Sequence, residues 1–307
     1  MNLKDKLFET LFKRYMRWRI DALLAPEYPV VLEYPIDPRP RWGEDKPPHA
    51  GLADICDRGV ENYRANLSDL AVHKEQMAKI PLQATSPGEP QWDNTYFSAM
   101  DAIALYGILA SRNPARYVEI GSGHSTRFAR KAVRDFDLRT RITSIDPVPR
   151  AEVNDICDEV IRQPLESTDL EVMSKLGAND VLFLDSSHRV FTNSDVTVFF
   201  LEVLPRLRPG VLVHVHDIFL PYDYPSHWSK RHYSEQYLLA AFLLAACPWL
   251  EVFLPNAYVS RHPALSSSIE GLWLDSVFQW SFAHYRKLTG SYIGTSFWLR
   301  IGQRAAS

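Results

Sequence analysis

The sequence predicts an α/β fold in which a doubly wound, mostly parallel sheet follows an N-terminal helical extension. From about residue 92 onward, short apolar strands alternate with amphipathic helices, a pattern that builds right-handed βαβ units. The first strand of this series runs into the turn Gly121-Ser122-Gly123, which is typical of a ligand-binding loop at a strand end. The chain has 307 residues, 46% of them hydrophobic and 23% charged, so it can bury the core that this fold needs.

Residues 1–90 are predicted to form the extension. Residues 1–25 have the spacing of an amphipathic helix with a basic face. Such a helix docks on its own domain or on a partner subunit more often than on an anionic membrane, which is the less favoured alternative. Residues 26–50 contain seven prolines and should be extended, and the interleaved aromatic residues favour a strap that packs against the body. Residues 51–80 return to helical periodicity.

Residues 91–307 are predicted to form the main domain, with an insertion at 256–290. The predicted strands are Tyr117–Ile120, Arg141–Asp146, Glu159–Arg162, Val181–Asp185, Val211–His216, Leu250–Leu254 and Thr295–Ile301. The predicted helices are Phe97–Ser111, Ser125–Arg134, Leu170–Leu176, Asp195–Leu204 and Ser234–Ala246. No full crossover helix separates the last two strands, which indicates an antiparallel pair at the sheet edge.

Composition narrows the class of partner. The formal net charge of −3 gives no basic excess for a nucleic-acid groove. The three cysteines, Cys56, Cys157 and Cys247, lack the spacing of a metal site and are interpreted as buried hydrophobic residues. The longest apolar run is too short for a bilayer, and charged residues interrupt the N-terminal stretch, so no signal peptide is expected. We therefore expect a cytoplasmic protein with a small-molecule partner, and a homo-oligomer is compatible with the sequence.

The glycine turn and the acids around it indicate the kind of ligand. Glycines allow a positive φ and a close backbone approach, and the following helix presents free N–H groups. A dinucleotide fingerprint needs a third glycine where this chain has Thr126. Glu119 lies two residues ahead of Gly121, where a carboxylate would repel a pyrophosphate but can face a cationic or hydroxyl-bearing ligand. Asp146 ends the next strand, 25 residues beyond Gly121, where an acid binds ribose hydroxyls; the alternative is that it caps the next helix.

Four motifs in this order resemble class I S-adenosylmethionine-dependent methyltransferases. They are Val118–Thr126, Ser144–Pro147, Phe183–His188 and His216–Phe219. The last two are most similar to those of a bacterial branch, and the resemblance covers about residues 92–303. It implies a Rossmann-like methyltransferase fold with a seven-stranded sheet whose last strand is antiparallel. The cofactor-binding residues that it implies are Glu119, Gly121, Ser122, Gly123, Ser125, Asp146 and Asp185, with 163–166 passing near the adenine.

The ends of the fourth and fifth strands carry the candidate catalytic residues. Asp185 closes the fourth strand, Asp217 follows the fifth, and His188 comes three residues after Asp185, so all three should face the crevice. Methyl transfer to a hydroxyl needs proton removal, for which histidine is suited, so His188 is the candidate base. Its alternative is a loop histidine that bonds the backbone. We expect O-methylation of a small or saccharide-like metabolite, with the segment 220–228 and the insertion determining substrate choice.

Metal dependence is not favoured, and two other functions stay open. The same motifs look like those of catechol-type O-methyltransferases, where the corresponding aspartates hold Mg²⁺. Here Ile218 replaces the asparagine ligand and His188 replaces a lysine, so no metal site is predicted. A second hypothesis is a metal-dependent hydrolase, which would use Asp185, His188, His214, His216 and Asp217. The third is a non-catalytic binding module on the same fold.

Overall fold

The computed structural model describes residues 9–16, 30, 33–97, 99–149 and 151–304. They belong to two compact units, 1–38 and 39–307. In the first unit, residues 9–16 form helix α1, in which Glu9 and Lys13 make an ion pair of 2.8 Å one turn apart. The rest of the helix predicted over residues 1–25 lies outside the described residues.

The second unit contains the remaining helices and all seven strands of the described chain. The strands are β1 Arg116–Ile120, β2 Arg141–Ile145, β3 Glu159–Ile161, β4 Val181–Leu184, β5 Leu212–Val215, β6 Leu250–Pro255 and β7 Phe297–Ile301. The helices are α2 Ala50–Asp57, α3 Val60–Ala71, α4 Lys74–Met77, α5 Ala99–Arg112, α6 His124–Asp135, α7 Glu171–Ser174, α8 Asp195–Val198, α9 Glu235–Leu244, α10 Asn256–Arg261, α11 Pro263–Leu272 and α12 Ser276–Thr289.

The strands form one sheet in the order β3-β2-β1-β4-β5-β7-β6. Strands β1 to β5 pair in parallel, whereas β7 runs antiparallel to both β5 and β6. The predicted doubly wound, mostly parallel fold with an antiparallel closing pair is confirmed. The strand order reverses between β1 and β4, and such a switch point opens a crevice beyond the carboxyl ends of the two strands.

The central strands of the sheet are buried on both faces, which explains their continuous apolar runs, whereas the edge strand β3 is largely exposed. All four residues of β4 are buried. The helices of the extension share this core, because Tyr63 and Leu67 of α3 belong to the same hydrophobic cluster as Ile103 of α5 and Tyr117 of β1. The division of the chain at residue 90 stays a prediction.

Parts of the extension and the insertion follow the prediction, and one predicted helix is broken. The proline-rich strap contacts the body at its C-terminal part, where the Asp223 side chain accepts hydrogen bonds from the backbone N–H groups of Arg41 and Trp42. The insertion 256–290 folds into α10, α11 and α12. The helix predicted over Asp195–Leu204 is α8 followed by a π-helical turn and a 3₁₀ turn that contains Pro205. Among the described helices, none has the length and apolar character needed to cross a bilayer.

Candidate functional site

A cavity of about 740 Å³ opens beyond the carboxyl ends of β1, β2 and β4, at the switch point of the sheet. The structure brings six of the predicted cofactor-binding residues to its wall. They are Gly121, Ser122, Gly123, Ser125, Asp146 and Asp185. Three residues of the segment predicted to lie near the adenine, Pro164, Leu165 and Glu166, line it as well.

The two glycines of the turn are required for different reasons. Gly121 has a φ of +82°, and a Cβ added there would lie 1.6 Å from the backbone oxygen of Asp185. A side chain at this position is therefore excluded by both backbone conformation and space. Gly123 has an extended φ of 174°, and an added Cβ would meet no protein atom within 4 Å. The glycine turn thus packs tightly against β4 at Gly121 and leaves open space beside Gly123.

Glu119 lies behind the glycine turn and is fully buried, away from the cavity wall. Its carboxylate accepts hydrogen bonds from the Tyr117 hydroxyl, at 2.8 Å, and from the Thr126 hydroxyl. The Thr126 oxygen in turn accepts a hydrogen bond of 3.0 Å from the N–H of Gly123. Burial raises the pKa of Glu119 to about 7, against the lowering effect of these hydrogen bonds. Glu119 therefore supports the turn from within, through the threonine that replaces a third glycine.

Asp146 stands on the cavity wall and is tied to the glycine turn. Its carboxylate accepts hydrogen bonds of 2.8 Å from the N–H groups of Ser122 and Val148. No helix begins directly after it, since the next helical turn is the 3₁₀ segment Asn154–Ile156. The helix-capping alternative is therefore wrong, and the side chain is held at the end of β2 facing the cavity.

The wall of the cavity is acidic. The carboxylates that line it are Asp146, Glu166, Asp185 and Asp195, and no lysine or arginine of the described residues does so. His124, the first residue of α6, also lines the cavity. Burial and then Arg127 lower the pKa of His124 to about 4, so its ring is neutral near pH 7. The cavity therefore attracts cationic ligands and disfavours phosphates.

His188 lies behind Asp185 rather than on the cavity wall. Its ring is buried, with Nδ1 bonded to Glu235 and Nε2 lying 3.2 Å from Asp185 and 3.7 Å from Asp217. Burial alone would lower the pKa of His188, but the three carboxylates outweigh it and hold the pKa well above its ordinary value. The structure thus brings the three predicted catalytic residues together, with Asp185 alone among them lining the cavity.

The five residues of the hydrolase hypothesis do not form a ligand cluster. His214 is buried, stacks on Phe183 with ring centroids 3.8 Å apart, and bonds the Ser296 hydroxyl at 2.6 Å. His216 approaches Asp217 at 3.6 Å and bonds the backbone oxygen of Tyr96. Within the described parts of the chain, no group of three His, Cys, Asp or Glu side chains has the geometry to hold a metal ion.

The aromatic segment predicted to cover the acceptor packs on itself. A buried cluster consists of Phe219, Tyr222, Tyr224, Trp228, Ala257 and Tyr292. None of these residues lines the cavity. Tyr233, which follows this segment, packs against the cluster and stacks its ring on that of His188, with centroids 4.4 Å apart.

Sequence reasoning missed three functional features of this site. Glu235 pairs with His188 across 47 positions of the chain, and no spacing pattern predicts such a contact. His124 belongs to the first motif, but the sequence analysis gave it no role. Its position directly after the glycine turn, at the start of the predicted helix, was the signal that it would line the cavity. Asp195, which also lines the cavity, accepts a hydrogen bond of 2.9 Å from the N–H of Ser187.

Residues 118–218 match a methyltransferase domain. The matched segment runs from β1 to just beyond β5 and spans about a third of the chain. It contains the glycine turn, Asp146, Asp185, His188 and Asp217. This match supports the identification of the chain as a methyltransferase. No curated protein matches the sequence.

Seventeen solved chains match the structure. The S-adenosylhomocysteine-bound Podospora anserina methyltransferase PaMTH1 is 18% identical, with a TM-score of 0.37 over 65% of this chain and 89% of that one. The plantazolicin methyltransferase BamL is 12% identical, with a TM-score of 0.41 over 83% and 90%. The mycolic acid cyclopropane synthase CmaA1 is 13% identical, with a TM-score of 0.32 over 76% and 96%.

Proposed function

We propose that this protein is an S-adenosylmethionine-dependent methyltransferase. The observation that carries the proposal is the cavity at the glycine turn, which four carboxylates and no lysine or arginine of the described residues line. S-adenosylmethionine is cationic at its sulfonium and its ammonium group, so an acidic wall stabilises it. A dinucleotide or a nucleoside triphosphate would bring phosphates against the same carboxylates. The match of residues 118–218 to a methyltransferase domain supports this assignment.

The residues of the cavity fit the parts of this cofactor. Gly123 leaves open space for a ligand, and the first N–H groups of α6 are available to the amino-acid part. In this proposal Asp146, on the cavity wall, binds the ribose hydroxyls, and the segment Pro164–Glu166 borders the region that we assign to the adenine. The cofactor would supply an electrophilic methyl group bound to a sulfonium. Glu119 supports this arrangement indirectly, through Thr126.

The acceptor in this proposal is a hydroxyl of a small or saccharide-like metabolite. The cavity volume of about 740 Å³ falls in the range of small-molecule sites. The bound cofactor would supply the methyl group as an electrophile and would keep the electron pair of the C–S bond on its sulfur, so this chain would have to supply a base for the proton of the acceptor. The sequence analysis favours His188 as that base, but the pKa of His188 is held well above its ordinary value, so its ring is already protonated and has no free site for a proton. We propose instead that Asp185 accepts the proton, because Asp185 faces the cavity and lies 3.2 Å from Nε2 of His188.

Ligand binding and methyl release test this proposal. Titration calorimetry should show binding of S-adenosylmethionine and S-adenosylhomocysteine, no binding of NAD⁺ or ATP, and strong weakening in Asp146→Ala. Methyl transfer from labelled S-adenosylmethionine is then measured across a panel of saccharides and other hydroxyl compounds. Failure of the folded wild type to bind either cofactor form, or stoichiometric tightly bound zinc in the purified protein, would contradict the proposal.

A further inference from the structure

Glu235 and His188 form a buried, hydrogen-bonded acid–imidazole pair directly behind Asp185. Glu235 is 0% exposed and His188 is 3% exposed. One carboxylate oxygen of Glu235 bonds Nδ1 of His188, and the other has no hydrogen-bond partner among the described residues. A buried charge without compensation is strongly destabilising, so the imidazolium of His188 is the main compensation for this carboxylate.

The ring of His188 is held in one orientation from several sides. Its two nitrogens face carboxylates on opposite sides, and only an imidazolium donates hydrogen bonds from both nitrogens. The ring of Tyr233 stacks on one face at a centroid distance of 4.4 Å. The backbone is fixed too, because the His188 oxygen accepts hydrogen bonds from the N–H groups of Ser234, at 2.8 Å, and Glu235, at 3.3 Å. The start of α9 is therefore tied to the loop after β4.

This fixed ring determines where the Asp185 carboxylate lies. The backbone of Asp185 is anchored by a hydrogen bond of 2.9 Å from its N–H to the oxygen of Ile120, and by its close contact with Gly121. Its side chain is about one-fifth exposed and meets Nε2 of His188 at 3.2 Å on its buried side. The direction of the carboxylate on the cavity wall thus depends on His188, whose position depends on Glu235.

We propose that Glu235 is a positioning residue for Asp185 and acts through the imidazolium of His188. The inference rests on the proposed function, because Asp185 faces the cavity in which cofactor and acceptor bind. The charge of the imidazolium matters as well as its place. Without it, Asp185 and Asp217 would face each other across a buried space, and one of them would take up a proton.

The surroundings of His188 fix the expected effect of pH. The charged and titratable groups that face it are Asp185 after β4, Asp217 after β5 and Glu235 in α9, with Tyr233 against the ring, His216 beyond Asp217 and Arg189 beyond Tyr233. Three carboxylates favour the imidazolium. Replacing Glu235 by glutamine removes one of them and lets the ring lose its proton at a lower pH. Glu235→Asp keeps the charge and shortens the side chain by one methylene.

The experiment combines imidazole NMR with cofactor binding. Long-range ¹H–¹⁵N spectra of the ten histidines report the protonation of each ring nitrogen, and His188→Gln identifies the signals of His188. We expect His188 to carry protons on both nitrogens at neutral pH in the wild type and in Glu235→Asp, and to titrate at lower pH in Glu235→Gln. The dissociation constant for S-adenosylmethionine should rise about fivefold in Glu235→Gln and stay near the wild-type value in Glu235→Asp. The exposed Glu202→Gln serves as the control and should change neither quantity.

The outcomes separate this inference from the proposed function. A neutral His188 in the wild type, or unchanged NMR and affinity in Glu235→Gln, would overturn the inference. A wild type that fails to bind S-adenosylmethionine but shows the doubly protonated ring would overturn the proposed function and still support the charged pair. Equal losses of affinity in Glu235→Gln and Glu235→Asp would assign Glu235 a packing role and contradict the inference.

Discussion

Replacing Gly121 by alanine tests how the glycine turn is built. An added Cβ would lie 1.6 Å from the Asp185 oxygen, whereas real Cβ contacts keep at least 3.0 Å, so the turn or the end of β4 must move by about 1.4 Å. The positive φ costs alanine about 1–2 kcal/mol, and each hydrogen bond weakened by the shift costs about 1 kcal/mol more. Those at risk join Gly121 N–H to the Ile145 oxygen and Asp185 N–H to the Ile120 oxygen. We expect a loss of about 2–4 kcal/mol in the free energy of unfolding, measured by urea denaturation.

Gly123→Ala is the matched control for this prediction. Its φ is extended and its Cβ would enter open space, so the free energy of unfolding should change by less than about 0.5 kcal/mol. Calorimetry should instead show weaker binding of S-adenosylhomocysteine, because the new methyl group occupies space that we assign to the cofactor. A Gly121→Ala protein as stable as the wild type, or the same loss of stability in both variants, would refute this account of the turn.

Three further predictions concern charge. Burial raises the pKa of Glu119 to about 7, above its value in the unfolded chain, so between these two values the folded state binds more protons than the unfolded state. The wild type should therefore lose about 2–3 kcal/mol of unfolding free energy relative to Glu119→Gln as the pH rises from about 5 to about 8. Urea denaturation at each pH would measure this difference. Asp185→Asn should reduce the affinity for S-adenosylmethionine about fivefold more than the affinity for S-adenosylhomocysteine, whose sulfur carries no charge. Asp146→Asn should reduce both affinities equally, as calorimetry would measure. Millimolar Mg²⁺ or EDTA should leave the melting temperature unchanged, since His188 already engages Asp185 and Asp217; a Mg²⁺-dependent shift would contradict this.

The sequence predicts the sheet well because its signals are local and repeated. Each strand of 39–307 is a short apolar run between turn residues, and the alternation with helices leaves few parallel topologies. The break after α8 was missed because an apolar periodicity continues through Phe199–Val203, and only Pro205 hints that the helix hydrogen bonds change there. The packing of α3 on α5 was also invisible, since it depends on which helix faces meet in the folded chain.

The residues of the cavity wall that follow a strand end could be predicted from the sequence, whereas the buried residues behind the wall could not. Gly121, Asp146 and Asp185 follow β-strands directly, so parallel topology alone brings them to one edge. The burial of Glu119 was not predicted. Strand alternation indicates the face on which a side chain lies, but it does not show which group it contacts there, in this case the Thr126 hydroxyl. The pairing of Glu235 with His188 depends on a helix that begins far along the chain.

The positions of the charges explain why we propose different functions for Asp185 and His188 within one short motif. Asp185 ends its strand and reaches the cavity, where its negative charge can face a cation or receive a proton. His188 has a φ of +61°, which turns the chain back so that its ring enters the protein behind Asp185. There the three carboxylates keep the ring protonated, and the ring keeps those carboxylates from repelling one another. A histidine on the wall would have to be neutral before it could act as a base, whereas a buried imidazolium preserves the charge of the carboxylate in front of it. In our proposal, the spacing of three residues therefore separates Asp185, which contacts the ligand, from His188, which keeps Asp185 charged.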